Sequence, residues 1–445
     1  MFTALPRPAP RAWPSLRRWT RAPLLCAAAL GLTAHAQQPL TLDQALRQAQ
    51  ERSRQLPAQD AAAAAAREMS AAAGQRPDPT LKAGLNSLPI NGADRFSLTR
   101  DSFTMLSVGV TQELTRKNKL EARSARFDRE ADAAHAGRAL ALANLRRDTA
   151  MAWLDRHYQE RMRDLLQVQR SETALQIEAA EAAYRGGRGA QADVFAARSA
   201  VAQLDDRIRQ AERQTATART RLARWVGADA DQPLAPPPTL AMPRLAAANL
   251  ETQIEHHPQI ALMVKQEAVA RAEADIARSN KRADWSVELT YSQRSSAYSN
   301  MVSLNVSIPL QWDQKNRQDR ELSSRLALAE QLRAQREEAA REHIAETRSW
   351  LQQWMSNRER LDQYDAALIP LAAERTRAAI AAYRGGTGSL ASVLEARRVE
   401  IDTRMERLRV EMETAALWAQ LEYLIPAEHL ASAANRINAP KELQP

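Results

Sequence analysis

The chain has 445 residues, of which 62 are Lys or Arg and 53 are Asp or Glu, so its formal net charge is +9. Only 13 Gly, 21 Pro and 5% aromatic residues are present while 26% of residues are charged, a composition that favours long helices over a β-sandwich or a doubly wound sheet. A hydrophobic fraction of 44% excludes an intrinsically disordered chain, and the basic charge suggests a nucleic-acid-binding protein as one interpretation to test.

Residues 1–36 have the three parts of a secretory signal peptide. A basic segment is followed by the apolar run Leu24 to Leu32 and by the cleavage pattern Ala34-His35-Ala36. The apolar run is shorter than the roughly 20 residues that a spanning helix needs, which disfavours an N-terminal membrane anchor. Cys26, the only cysteine, follows two leucines. A lipid-modified cysteine normally follows a small residue, so we interpret Cys26 as part of the apolar run.

Cleavage after residue 36 changes the charge of the mature chain. The segment contains no acidic residue and five arginines, Arg7, Arg11, Arg17, Arg18 and Arg21. Its removal leaves 57 basic against 53 acidic residues, a net charge of +4. Export and this modest charge argue against a nucleic-acid-binding protein.

The first half of the mature chain, residues 37–227, changes its hydrophobic period in a definite order. It predicts two short helices, two strands joined by a polar loop, a very long helix and a returning helix, at residues 42–53, 58–73, 81–88, 103–114, 119–184 and 193–226. At 1.5 Å per residue the long helix would extend on the order of 100 Å. Apolar residues of the returning helix follow alternating spacings of three and four, which is typical of coiled-coil packing.

A Pro-rich linker at 228–244, containing Pro236, Pro237 and Pro238, separates this half from residues 245–426. The second half predicts a helix, two strands, a very long helix and a returning helix, at residues 259–281, 285–291, 302–310, 318–383 and 393–423. A polar tail, 427–445, follows.

The two halves share a glycine-rich motif. Tyr184-Arg185-Gly186-Gly187-Arg188-Gly189 recurs 199 residues later as Tyr383-Arg384-Gly385-Gly386-Thr387-Gly388, each time between a long helix and its returning helix. A period this long indicates a duplicated unit rather than a solenoid of short repeats. A phosphate-binding loop would need a strand before each glycine motif, and the sequence predicts a helix there.

The four predicted strands have one apolar and one polar face. Residues 285–291 and 302–310 alternate Trp, Val, Leu and Tyr with Ser, Thr, Asn and Glu, and they have about the length that crosses a bilayer when tilted. Four strands cannot close a barrel around a lumen, whereas three copies of the chain would supply twelve. The alternative is a small soluble hairpin packed on helices.

The order of elements and the glycine motifs resemble the TolC family of outer-membrane efflux channels over nearly the whole mature chain. The segments Asn86 to Ile90 and Phe96 to Arg100 further resemble its heavy-metal branch, the CusC- and CzcC-like channels. The resemblance implies a mainly α-helical protein with a β-barrel part. It also implies a homotrimer with a twelve-stranded barrel in outer-membrane lipid and an α-helical tunnel in the periplasm. The implied partners are a periplasmic adaptor and a proton-driven inner-membrane pump.

The resemblance places the closed periplasmic tip and the adaptor-docking surface at the glycine motifs, which contain Gly186, Gly187, Gly189, Gly385, Gly386 and Gly388. We expect the paired glycines to supply the positive φ of a helix reversal. Asp193 and Glu395 resemble acidic gate positions, and threefold symmetry would make each a ring of carboxylates favouring cations. Ser392 falls where some relatives are acidic. The alternative for these acids is stabilisation of a helix N-terminus. Tyr184 and Tyr383 are candidates for gate hydrogen bonds or for packing at the constriction.

No catalytic motif is present, and His and Met show no ligand spacing, so we expect no enzyme, no cofactor and no stoichiometric metal site. The sequence therefore predicts a passive efflux channel, with heavy-metal cations as substrates. Two alternatives stay open, a channel for drugs or other organic compounds and a periplasmic coiled-coil scaffold without a pore.

Overall fold

The computed structural model describes residues 39–243 and 250–425. The predicted signal peptide, the C-terminal tail and the end of the Pro-rich linker lie outside these residues. The first half contains four helices and two strands, α1 (Leu42–Arg52), α2 (Gln55–Ala73), β1 (Thr80–Asn86), β2 (Met105–Leu114), α3 (Lys117–Arg185) and α4 (Gln191–Val226). The 69 residues of α3 form one uninterrupted helix, as predicted.

The second half repeats this order with α5 (Leu250–Ile254), α6 (Pro258–Ser279), β3 (Trp285–Gln293), β4 (Met301–Ser307), α7 (Gln318–Gln363), α8 (Ile369–Arg384) and α9 (Leu390–Glu422). The long helix predicted over 318–383 is helical throughout, but a π-helical turn at Tyr364–Leu368 replaces the α-helical hydrogen bonds between α7 and α8. Pro370 lies in the first turn of α8, and a proline has no N–H to continue the α-helical ladder from α7. β4 ends at Ser307 rather than 310, just before Pro309, and β1 ends at Asn86 rather than 88.

One four-stranded antiparallel sheet, in the order β1-β2-β3-β4, is formed by the two hairpins together. β2 of the first half pairs with β3 of the second half, from Leu106 opposite Gln293 to Leu114 opposite Trp285. β1 and β4 are therefore the two edges. The predicted hairpins are confirmed, and the sheet makes the two halves one structural unit.

The register of the strands places apolar side chains on one face of the sheet and polar side chains on the other. One row across the four strands, and therefore on one face, is Leu81, Val110, Leu289 and Leu304. On the opposite face Lys82 of β1 forms an ion pair with Glu288 of β3 at 2.5 Å. The residue paired with Lys82 on β2 is Gly109, which pairs with Thr290 of β3, and a Cβ atom on Gly109 would lie 2.5 Å from Thr290 Oγ1. The glycine thus leaves room for the polar contacts of this face.

The helices pack around a long core to which both halves contribute. Trp153 and Tyr158 of α3, Leu222 of α4, Trp354 of α7 and Leu421 of α9 belong to one continuous hydrophobic cluster. The predicted coiled-coil seam of α4 is largely confirmed, since eight of its positions are buried: Val194, Ala197, Val201, Leu204, Ala211, Thr215, Ala218 and Leu222. Two further residues that fit the alternating spacing of three and four, Ile208 and Trp225, are half-buried, and Val226 is buried at the end of the seam.

The segment before α1 and the Pro-rich linker are joined beside this core. Leu40 donates its N–H to the Pro233 carbonyl at 2.8 Å and accepts from the Ala235 N–H at 3.1 Å. Beneath them the fully buried guanidinium of Arg156 donates to the carbonyls of Ala230 and Gln232 at 2.5 and 2.8 Å. A single buried side chain therefore satisfies two backbone carbonyls of the turn that leads into the linker.

Candidate functional site

The two glycine motifs form a pair of turns with the same hydrogen bonds, which we call the tip turns (residues 184–190 and 383–389). In the first, the N–H groups of Gly187 and Arg188 donate to the carbonyls of Tyr184 and Ala183, at 3.0 and 2.9 Å. In the second, the N–H groups of Gly386 and Thr387 donate to Tyr383 and Ala382, at 3.1 and 3.0 Å. This pattern is the Schellman motif that ends a helix and reverses the chain.

The glycines of the tip turns have different physical roles. Gly187 and Gly386 have φ values of +69° and +74°, the left-handed conformation that favours glycine. Gly186 and Gly385 have φ values of −83° and −76°, so the expectation of positive φ is wrong for these two, because they cap α3 and α8 with nearly helical backbone. At Gly189 and Gly388 a Cβ atom would approach Ala183 Cβ and Ala382 Cβ at 3.1 and 3.0 Å. Close packing of the turn explains the glycines at positions 189 and 388.

The first turns of α4 and α9 are each capped by one of the two hydrogen bonds that make up a capping box. The Asp193 carboxylate accepts from the Ala190 N–H at 3.2 Å, whereas in the other copy the Ser389 hydroxyl accepts from the Ser392 N–H at 3.2 Å. Each bond satisfies one of the unpaired amides at a helix start. Asp193 therefore caps α4 through its Oδ2 atom, and the capping bond does not use Oδ1.

The other predicted gate residues lie close to the tip turns. Glu395 is exposed on α9 and forms an ion pair with Arg398 at 3.1 Å, and Ser392 is exposed one turn earlier. Tyr184 is half-exposed, whereas Tyr383 is partly buried against a small apolar cluster. Ala180, Val194 and Ala197 of the first helical hairpin meet Leu390 and Val393 of the second in that cluster. It brings the two tip turns side by side.

Ion pairs between the two helical hairpins could not be recognised in the sequence. Arg397 of α9 contacts Glu172 of α3 at 2.5 Å, and Arg207 of α4 contacts Asp402 of α9 at 2.9 Å. A groove of about 450 Å³ lies between α4 and α9, with Glu395, Arg397 and Arg207 in its wall. These partners are separated by about 200 residues in the chain, so no spacing rule applies to them.

Histidines and methionines that show no ligand spacing in the sequence come together in two places. His257, at the start of α6, stacks on His343 of α7 with ring centroids 4.4 Å apart. Met151 of α3 and Met412 of α9 line one cavity of about 520 Å³. Within residues 39–243 and 250–425, no three His, Cys, Asp or Glu side chains form a group that could hold a metal ion.

A second candidate surface is the apolar face of the sheet, which no other element of the described chain covers. Its exposed side chains are Leu81, Leu85, Leu106, Val108, Val110, Leu289, Tyr291, Val302, Leu304 and Val306. A contiguous apolar patch of this size marks a protein or membrane contact. The apolar face is therefore not packed on helices of the described chain, as the alternative of a hairpin packed on helices would require.

In the part of the chain that the structure describes, no helix is both long enough and apolar enough to cross a membrane.

Comparison with known proteins relates the fold to solved structures, whereas no protein-family model and no curated protein matches the sequence. The outer-membrane channel OprN matches with a TM-score of 0.72 and 18% identity over 86% of this chain and 90% of that one. The outer membrane protein VceC from Vibrio cholerae matches with a TM-score of 0.71 and 16% identity, over 86% and 95%. CusC, whose structures concern folding and transmembrane channel formation, matches with a TM-score of 0.70 and 15% identity over 86% and 92%. None of these is described as an enzyme, and the chain has the fold of these outer-membrane channels.

Proposed function

We propose that this protein is the outer-membrane channel of a tripartite efflux system, a passive exit duct and not an enzyme. The observation that carries the proposal is the uncovered apolar face of a four-stranded sheet at one end of very long helical hairpins. Water does not favour a continuous face of Leu, Val and Tyr, whereas lipid does. The likeness to OprN and CusC supports the same interpretation.

The sheet also requires more copies of the chain. β1 and β4 are edges, and the unpaired backbone groups of an edge cannot remain unsatisfied in lipid. Pairing β4 of one copy with β1 of the next closes a barrel, and three copies give twelve strands, enough to surround a pore. The polar face, with Lys82 and Glu288, would then line the lumen.

The helical hairpins supply the second part of the duct. With 69 residues, α3 is on the order of 100 Å long, so a ring of such helices would form a tunnel on the periplasmic side of the barrel. The tip turns lie at the far end of the hairpins, where a periplasmic adaptor would dock and connect the channel to a proton-driven inner-membrane pump. A scaffold without a pore would not need the apolar sheet face.

We place the gate at the first turns of α4 and α9. In a trimer Asp193 and Glu395 would each form a ring of three carboxylates, which attracts cations and repels anions. Tyr184, Tyr383 and Ser392 would lie at the same level. Because Asp193 also caps α4, its replacement has to keep the acceptor for the Ala190 N–H.

We further propose heavy-metal cations as the substrates. Support comes from the resemblance of residues 86–90 and 96–100 to the heavy-metal branch and from the acidic gate positions. The fold comparison does not distinguish substrates, since OprN, VceC and CusC match about equally well. A channel for organic compounds is the alternative, and it would share every feature of the fold.

The first experiment is membrane fractionation followed by planar-bilayer conductance of the purified protein. We expect outer-membrane localisation, a cation-selective pore, and reduced cation selectivity in Asp193→Asn and Glu395→Gln, which keep hydrogen-bonding capacity. Asp206→Ala, an exposed acid further along α4, is the matched control. A wholly soluble protein would contradict the channel, and unchanged selectivity in both variants would contradict the gate. Growth of a deletion strain on copper, silver, zinc, cobalt and cadmium salts, compared with organic toxicants, tests the substrate class.

A further inference from the structure

We propose that the segment between β4 and α7 (residues 308–317, the β4–α7 turn) binds the anionic headgroup of a phospholipid, with Trp312 beside the acyl chains and with Lys315 and Arg317 on the phosphate. This inference rests on the proposed function, because it requires the sheet to lie in a membrane. It adds a lipid-binding site, and a preference for one class of lipid, at the end of the sheet next to the helices.

The apolar stripe of β4 continues beyond the end of the strand. Ile308, Leu310 and Trp312 keep the alternation of Val302, Leu304 and Val306, and they are 43%, 66% and 88% exposed. The residues between them face the opposite side, where they line a cavity of about 350 Å³ together with the last residue of β4: Ser307, Pro309 and Gln311. The stripe that the proposed function places against lipid therefore ends in a tryptophan.

Hydrogen bonds hold the turn in place on both sides of Trp312. Gln311 Nε2 donates to the Asn280 carbonyl and Gln314 Nε2 donates to the Lys281 carbonyl, each at 3.0 Å. The turn is thus tied to the connection between α6 and β3. A ligand that binds it would not have to order it first, which lowers the entropic cost of binding.

Packing of the folded chain does not account for Trp312. Its side chain is almost fully exposed, and in the part of the chain that the structure describes no group accepts a hydrogen bond from its indole N–H. An indole has a large apolar body and a single donor, a combination that suits the boundary between acyl chains and headgroups. The position of Trp312 at the end of the apolar stripe matches this boundary.

Cations without an internal partner surround the turn. Lys315 and Arg317 of the turn, Arg320 in the first turn of α7, and Arg282 beside the carbonyl that holds Gln314 are exposed, and none forms an ion pair within the described ranges. The partial positive charge at the start of α7 opposes a cation there, so helix formation does not explain Arg317 and Arg320. Ammonium and guanidinium groups bind phosphate oxygens strongly.

The acids near the turn do not cancel this charge. Asp313 accepts from Asn316 Nδ2 at 2.9 Å within the turn, and Asp319 pairs with Lys281 at 2.7 Å. Glu321 is the third acid, so residues 281–282 and 313–321 contain five cations and three acids apart from the Asp284 side of the sheet. The surface therefore keeps a positive charge that complements an anionic headgroup.

The equivalent connection of the first half lacks these features. Two residues join β2 to α3, whereas ten residues join β4 to α7. The lysines of the first connection have partners within the chain, since Lys119 pairs with Asp284 at 2.5 Å and Lys117 pairs with Glu121 at 3.6 Å. Passing from strand to helix in this fold therefore requires neither the longer turn nor its unpaired cations.

We commit to a phospholipid rather than a second copy of the chain as the occupant. In the proposed barrel the strand next to β4 is β1 of another copy, and the residues just before it contain one cation and one acid, Arg76 and Asp78. Such a segment does not complement an excess of positive charge. Continuity with the apolar face of the sheet also favours lipid.

The test is native mass spectrometry of the purified full-length protein in detergent, titrated with phosphatidylglycerol or phosphatidylcholine of identical acyl chains. We expect phosphatidylglycerol to be retained about tenfold more strongly at low salt, and the preference to fall as salt is added. Lys315→Gln combined with Arg317→Gln should remove most of the preference. Arg209→Gln combined with Arg213→Gln, which removes two exposed cations of α4, should retain all of it.

Trp312→Ser tests the apolar part of the site in the same spectra. We expect it to weaken the retention of both lipids and to leave the ratio of assembled protein to single chains unchanged. A shift of Trp312→Ser towards single chains would overturn the proposal in favour of a contact with a second copy. Displacement of the lipid by soluble glycerol phosphate would overturn it in favour of a free phosphate site.

Equal retention of the two lipids by the wild type, or an unchanged preference when Lys315 and Arg317 are both replaced, would also overturn the proposal. Planar-bilayer conductance of the same preparations separates this inference from the proposed function. A non-conducting wild-type protein would contradict the proposed function, whereas a conducting protein without a headgroup preference would contradict only the lipid site.

Discussion

His257 makes the start of α6 sensitive to acid. The residue is 7% exposed, and its Nδ1 accepts from the Gln259 N–H at 3.2 Å, so the imidazole acts as the N-cap of the helix in its neutral form. Burial, followed by the nearby positive charges of His343 on α7 and Arg147 on α3, lowers the pKa of His257 to about 4. Glu346, also on α7, lies 3.5 Å from His343 Nδ1 and counters part of the repulsion once both histidines are charged.

The sign of the pH effect follows from this lowered pKa. When the first turn of α6 opens, His257 regains a pKa near 6.5 and takes up a proton more readily than in the folded state. Stability is therefore lost as the pH falls from about 6.5 towards about 4. Between about pH 7 and about pH 5 the loss is about 2 kcal/mol, or about 20-fold in the local opening equilibrium.

Hydrogen exchange of the first α6 amides, including Gln259, measures this opening directly. We expect their protection factors to fall about 20-fold over that pH range, after correction for intrinsic exchange. His257→Asn should abolish the pH dependence, because asparagine is a good N-cap that does not titrate. The same pH response in His257→Asn, or an equal response at the start of α1, which Thr41 and Gln44 cap without histidine, would refute the reasoning.

Three further predictions concern stability. Gly386→Ala should lower the free energy of unfolding by about 1 kcal/mol through its positive φ, and Gly385→Ala by less, as measured by thermal unfolding. Asp284→Asn should cost about 3 kcal/mol in urea denaturation, because it leaves the ammonium of Lys119 buried without its partner at 2.5 Å. Burial would raise the pKa of Asp284, but the bond from Lys119 holds it below its usual value, so this stabilisation is lost as the pH falls through the lowered pKa. Arg156→Met should also cost about 3 kcal/mol and should expose the linker at 232–243 to proteolysis, since two carbonyls lose their donor.

Each of these three predictions would be contradicted by a specific result. Equal losses at Gly385 and Gly386 would mean that crowding, not backbone conformation, sets the cost at the tip turns. An Asp284→Asn protein as stable as the wild type would show that the pair with Lys119 adds nothing. Unchanged proteolysis of Arg156→Met, relative to the exposed Arg221→Met, would mean that the linker is held by its contacts with Leu40.

Local patterns in the sequence were sufficient to predict the helices, the strands and the tip turns. The alternation in 285–291 and the heptad seam of α4 each record a burial pattern within one element, and the glycine motifs record backbone conformations that few other residues adopt. For this reason the helices, the hairpins and the place of each reversal were predicted well. The π-helical turn before Pro370 was missed because a proline in the first turn of a helix leaves no signal of what precedes it.

Contacts between distant segments could not be predicted in the same way. The pairing of β2 with β3, the stacking of His257 on His343 and the ion pair of Arg397 with Glu172 all depend on how the two halves come together. No residue spacing encodes such a contact. The role of Asp193 as a cap was foreseen only as an alternative, since capping and gating place an acid at the same position.

The central position of the β2–β3 pair has a consequence for the order of folding. About 170 residues separate the two strands, and the entropy of closing a loop of that length must be overcome before they can meet. During synthesis the β1–β2 hairpin emerges with a bare apolar face and an open edge long before its partner exists. Most of the first helical hairpin can form in the meantime, because α3 and α4 need only local contacts with each other. The sheet is therefore expected to be the last part of each chain to become ordered, and a holding chaperone would have to protect the first hairpin until the second arrives.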